Sequence, residues 1–117
     1  MAHESYRGTY EAYARVWDSR TPSWKELLGQ SVDDACRYSN MLIEGQGLDS
    51  LAQAIEAFHL TNPESVFATT SYMEQHGKSL GNWDLRNAAG MVVMSGSNYT
   101  EYGEDGRMVQ IAGFWNA

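Results

Sequence analysis

The sequence predicts an α+β domain, and three observations predict it. Aromatic residues recur at helical spacing near the start, helix punctuation and a second apolar stripe fill the stretch before residue 62, and β-type segments run from Val66 to Trp115. The helices come first and four strands follow without βαβ alternation, so an antiparallel meander with its helices packed on one face is expected. A length of 117 residues fits one domain, taken as 1–117.

Tyr6, Tyr10, Tyr13 and Trp17 stand at offsets of 4, 3 and 4, which lays four rings along one stripe of a helix over about residues 4–18. Burying each ring is worth on the order of 1.5 to 3 kcal/mol, far more than helix propensity decides. The run "TPSWKELLG" predicts a short second helix with Thr21 as N-cap, Pro22 at the first helical position and Gly29 just past its end. Residues 31–40 predict a short strand carrying Val32, Ala35, Cys36 and Tyr38, and "EGQG" at 44–47 a loop.

Asp49 or Ser50 then caps a third helix whose apolar face is Leu48, Leu51, Ala52, Ile55, Phe58 and His59. It must stop near Thr61, because Pro63 pushes Asn62 out of the helical region. Beyond it, "SVFATTSYMEQHG", "SLGNWDLRNAAG", "MVVMSGSNYTEYGEDG" and "RMVQIAGFW" are β-branched or aromatic runs parted by glycine-containing turns.

Composition excludes several functions. Fifteen acids against eight Lys and Arg give a charge of −7 with no basic run, which works against a nucleic-acid partner. Cys36 is the single cysteine, so neither an intramolecular disulfide nor a cysteine zinc set is available, and a reducing cytoplasm fits. The longest apolar run, "MVVM" at 91–94, is far short of the roughly 20 residues of a membrane span, and the opening residues lack a signal-peptide stretch. Three scattered histidines form no metal-ligand motif, and no glycine-rich phosphate loop occurs, so no cofactor is expected.

The opening helix with "YARVWDS", the "SWKELL" helix, "VDDACRYSN" at the first strand and the closing "YGEDGRMVQIAGFW", taken in that order, resemble the nuclear transport factor 2-like superfamily and its SnoaL-like branch. The resemblance covers nearly the whole chain. It implies a cone: a strongly curved antiparallel sheet wrapped around three N-terminal helices, with an apolar pocket between them and a homodimer as the common assembly. In that picture "EDGR" is the tight turn into the last strand, and "MVQIAGFW" walls the pocket. The superfamily holds ketosteroid isomerases, polyketide cyclases, epoxide hydrolases, dehydratases and non-catalytic members, so fold alone does not give function.

Acid–base chemistry beside a carbonyl needs a tuned base and a hydrogen-bond donor facing one dry cavity. Isomerases of the superfamily use a first-helix tyrosine, which implies Tyr13 as donor; its other reading is a core ring. Where those isomerases place an acid after the Asp-Asp pair, this chain has Tyr38, Ser39 and Asn40, none of which replaces a carboxylate. Asp33 and Asp34 read as a cap or solvated turn. Histidine as a residue type changes charge near neutrality, which makes His76 a candidate acid or base, although "QHGK" also reads as an exposed hairpin turn. His59 suits a helix C-terminus and His3 a frayed end.

In "WDLR" the strand period puts Asp84 and Arg86 on one face and Trp83 and Leu85 on the other. Superfamily epoxide hydrolases carry an Arg and an Asp two apart on a strand, but here the order is reversed and their second acid is not found. The catalytic candidates are thus Tyr13, His76 and Asp84. Trp17, Tyr38, Phe58, Trp83, Asn98 and Phe114 are the expected ligand contacts, and Met91, Met94 and Met108 fill core or an adaptable pocket. Two classes of function follow: a cofactor-free enzyme acting on a compact apolar substrate, or a non-catalytic dimeric binding module.

Overall fold

The computed structural model describes residues 5–115; His3 lies outside them. In chain order the elements are α1 (Arg7–Val16), α2 (Trp24–Ser31), β1 (Val32–Ser39), β2 (Glu44–Gln46), α3 (Leu48–Thr61), β3 (Val66–Gln75), β4 (Lys78–Arg86), β5 (Val92–Tyr102) and β6 (Met108–Trp115). Six strands form one sheet in the order β2-β1-β6-β5-β4-β3. Its edges β2 and β3 do not meet, so the sheet is not closed.

Two features depart from the expected meander. Residues 44–46 are a strand, not a loop, because Asn40 folds the chain back: its Oδ1 accepts the Leu42 and Ile43 amides at 2.8 and 3.0 Å, and β2 then pairs antiparallel with β1. The sheet is also mixed, since β1 and β6 run parallel. The chain leaves β1 through β2 and α3 before the meander β3 to β6 returns it to β1's free side.

Register shifts interrupt the β1–β6, β3–β4, β4–β5 and β5–β6 pairings, and such bulges bend strands. The largest, between Val32 and Arg37, carries Asp33, Asp34 and Ala35 out of register; Asp33 Oδ2 accepts the Ala35 amide at 2.9 Å. Ala35 is therefore exposed, whereas Val32, Cys36 and Tyr38 are buried.

The helices start and stop where backbone geometry permits. The second begins two residues after Pro22, with Ser23 rather than Thr21 as N-cap, because the Thr21 amide closes a turn on the Asp18 carbonyl. Gly29 lies inside that helix. Gly47, with φ of 102°, opens α3, a conformation glycine reaches without strain, so neither Asp49 nor Ser50 caps it. Ser50 instead hydrogen-bonds the Tyr38 hydroxyl.

The helices and the inner sheet face share one core, built around Tyr10, Tyr13, Val16, Leu28, Leu51, Ile55, Met108 and Ile111. Cys36 sits in it fully buried, which pushes its thiol pKa up to about 12. Met94 is half-buried and Met91 exposed. Tyr6 stacks on Tyr102 with centroids 4.2 Å apart, and Glu74 on β3 accepts the Ser5 hydroxyl, the Tyr6 amide and the Tyr72 hydroxyl at 3.1, 2.9 and 2.8 Å. Glu74 thus supplies from the sheet the N-terminal acceptor that α1 lacks in its own first turn.

Candidate functional site

Strand alternation divides the sheet into an inner face toward the helices and an outer one. On β4, Ser79, Gly81, Trp83 and Leu85 are buried, while Lys78, Leu80, Asn82 and Arg86 are exposed. Cross-strand pairing carries the inner face to Asn98 and Gly96 on β5 and to Gly113 and Trp115 on β6.

Four rings from four elements meet on the inner side. Trp17, at the end of α1, lies 5.3 Å from Phe58 of α3 and 6.3 Å from Phe67 of β3. Phe67 in turn lies 5.6 Å from Phe58 and 4.9 Å from Trp83 of β4, all measured between centroids. Tyr13 adjoins Trp17 edge-on at 6.5 Å. The Trp83 indole N–H donates to Asn98 Oδ1 at 3.3 Å, which puts an amide at the border of the ring cluster. Glycines make the space: a Cβ on Gly96 would lie 2.6 Å from the Trp83 indole, and one on Gly113 would lie 3.1 Å from Asn98 Oδ1.

Two phenols complete the arrangement. Burial pushes the Tyr10 pKa up to about 12, partly offset by the neighbouring Asn98 amide. Burial likewise raises the Tyr13 pKa, against the opposing effect of the Trp17 indole. Both therefore stay protonated at neutral pH and act as hydrogen-bond donors rather than bases. The cluster is an apolar surface edged by neutral donors and one amide, suited to holding a flat apolar molecule by its faces and a carbonyl or hydroxyl by its edge.

Trp17, Phe58, Trp83, Asn98 and Tyr13 are thus brought together. Tyr38 is buried on β1 against Ser50. Phe114 points the other way: it is 56% exposed on the outer face, because its neighbours Gly113 and Trp115 take the inner positions. His76 does not join Tyr13, since His76 and Gly77, at φ of 45° and 76°, form the two-residue turn between β3 and β4, with the imidazole exposed and paired to Gln75. Asp84 lies on the outer side, 3.8 Å from Arg86. Asp33 and Asp34 face Arg107 at 3.6 and 3.9 Å, which makes them a surface ion network.

Sequence reasoning missed Tyr10, Phe67 and Asp18 as parts of the site. Tyr10 carried a signal through its place in the ring stripe, whereas Phe67 and Asp18 become visible only when β3 docks on α1. Asp18 Oδ1 accepts the Phe67 amide at 2.7 Å, and burial raises its pKa despite that bond and the nearby Arg15, Arg20 and His59. A groove of about 670 Å³ opens elsewhere, between the start of α2 and the end of α3. No helix among the described residues is long and apolar enough to cross a membrane.

No family model and no curated protein matches the sequence. In three dimensions the chain is similar to a candidate isomerase of the SnoaL-like family from Agrobacterium tumefaciens, with a TM-score of 0.87 and 22% identity over 96% of this chain and 97% of that one. It is similar to a candidate SnoaL-like polyketide cyclase from Jannaschia sp., at 0.79 and 9% over 99% and 90% of the two chains. A candidate ketosteroid isomerase from Kribbella flavida matches at 0.74 and 14% over 96% and 78%. With three helices held against a curved, open six-stranded sheet, this chain has the nuclear transport factor 2-like fold in its SnoaL-like form.

Proposed function

We propose that the inner face of the cone is an apolar pocket that binds a compact, ring-bearing small molecule carrying one carbonyl or hydroxyl group. The convergence of Trp17, Phe58, Phe67 and Trp83 beside the Asn98 amide supports this reading. The rings supply face contacts, and Asn98, Tyr10 and Tyr13 supply the polar edge. Its test is tryptophan fluorescence of the protein titrated with cyclic ketones from one to four rings. Saturable quenching that strengthens with ring count is expected, and Asn98→Leu weakens ketone binding about three- to tenfold while sparing the parent hydrocarbons. Flat titrations across the whole series would remove the proposal.

Acid–base turnover in that pocket is the second reading, favoured by one observation: Asp18, raised by burial, is bonded to the backbone of Phe67. Retained binding with no solvent-proton exchange into a bound ketone would leave a binding module.

The homodimer is proposed through the outer face of the sheet, where Met73, Leu80 and Phe114 are exposed. Sedimentation at micromolar concentration tests it. A two-chain mass that Phe114→Glu reduces to one chain is expected, and a one-chain mass for the unaltered protein would overturn it.

A further inference from the structure

The groove between α2 and α3 has a recognition chemistry different from that of the cone. Its lining includes the half-buried Trp24 indole, which stands edge-on to the His59 imidazole at 5.1 Å and 89°. A carbonyl only accepts, so His59 Nε2–H donates to the Val16 carbonyl, 3.0 Å away. That bond ties the imidazole to the end of α1 and braces the indole, so the wall is set before anything arrives.

The charge of the lining is uneven. Glu26, Glu56 and Glu64 border the groove against a single Lys25. The Lys25 ammonium lies 5.6 Å from the Trp24 ring centroid, so the indole face already stands in the field of a cation. Leu60, 80% exposed, gives the rim an apolar contact next to the acids. Guanidinium suits this lining better than ammonium, because it stacks flat on a ring while its N–H fork reaches carboxylates, and it is weakly hydrated.

We propose that this groove docks a flexible segment of a partner protein in which an arginine stands next to an apolar residue. The guanidinium lies on Trp24 between the glutamates, and the apolar neighbour covers Leu60. A protein segment is favoured over a free cation because the lining offers an apolar contact, Leu60, beside the aromatic and acidic ones, and a small cation has nothing to place against it. Lys25 competes for the same ring, which gives the proposal a signed test.

The experiment is fluorescence anisotropy of a dye-labelled peptide, acetyl-Ser-Gly-Arg-Leu-Gly-Ser, titrated with the whole protein. A peptide with Glu in place of Arg, and free arginine amide as competitor, serve as controls. Saturable binding of the arginine peptide alone is expected. Lys25→Gln strengthens it about two- to fivefold, and the double variant Glu56→Gln, Glu64→Gln weakens it by a similar or larger factor and flattens its salt dependence. All three positions are exposed, and an unchanged melting temperature checks that the fold is intact. Equal binding of the glutamate peptide, indifference to these variants, or competition by arginine amide at the peptide's own affinity would overturn it.

Discussion

The Tyr10 hydroxyl lies directly on the backbone of Gly81: a Cβ built on Gly81 would come within 2.2 Å of Tyr10 Oη and 2.3 Å of its Cζ. Helix α1 is thus seated on β4 at a distance only a missing side chain allows. Gly81→Ala forces the phenol to move, and overpacking of this kind costs about 1 to 3 kcal/mol. A fall in melting temperature of several degrees is expected. An unshifted melting curve would show that α1 tolerates a looser seat.

Thr100 makes the opposite prediction. Its hydroxyl is buried on the inner face of β5 and, among the described residues, finds no hydrogen-bond partner. Thr100→Val keeps the branched shape and removes the unmatched polar atom, so unfolding in urea is expected at equal or higher concentration. Destabilisation by about 1 kcal/mol or more would mean that a buried water holds the hydroxyl.

Glu74 gives a pH dependence. Burial alone would raise its pKa, but the Tyr6 amide and the Tyr72 and Ser5 hydroxyls outweigh it and hold the carboxyl below its ordinary range. A depressed carboxylate adds stability above its unfolded pKa, about 4.3, and loses that contribution as pH falls through the folded value. Glu74→Gln therefore costs up to about 1 kcal/mol at pH 7, solvent screening included, and progressively less as pH falls through the folded value. Denaturant titrations of both proteins at pH 7 and at a series of lower pH values check it; a constant difference would reject the carboxylate's role.

Asp18 has the reverse sign, because burial raises its pKa. The folded chain then holds this proton more tightly than the unfolded one, so the contribution is present at low pH and is lost as pH rises through the folded value. Asp18→Asn keeps the Oδ1 acceptor for the Phe67 amide and removes the buried charge. It is expected to be at least as stable as the parent at pH 7, with the difference vanishing at low pH. Asp18→Leu strips the amide of its acceptor and costs about 1 kcal/mol. If Asn were as damaging as Leu, the charge itself would be what holds α1 to β3.

The sequence makes the helical half of this molecule legible. The offsets of Tyr6, Tyr10, Tyr13 and Trp17 translate directly into a buried face, since each ring is large enough to outweigh local propensity. The turn at 103–107 is equally plain, with the Gly103 amide bonded to the Arg107 carbonyl. The neighbours of a strand are harder to read. The parallel pairing of β1 with β6 joins segments about seventy residues apart, and no local pattern records it. Phe114 is hard to place from sequence for a related reason: in "IAGFW" either aromatic satisfies the alternation, and only the register against β5 decides which faces in. His76 and Asp84 have suitable chemistry, but backbone direction, set by a turn and by strand parity, keeps them from Tyr13.

The sheet order has a consequence for how the chain comes to be folded. The strand made after all the others described, β6, belongs at the centre of the sheet between β1 and β5. While synthesis proceeds, β1 with β2 and the β3–β5 meander are two separate half-sheets, each with an open edge that β6 alone joins. A nascent chain that has not yet released β6 cannot complete its core, and its unpaired edges are the surfaces through which it would aggregate. Because that closure spans a long sequence separation, folding is expected to be slow for a domain of this size and to be completed only once β6 is free.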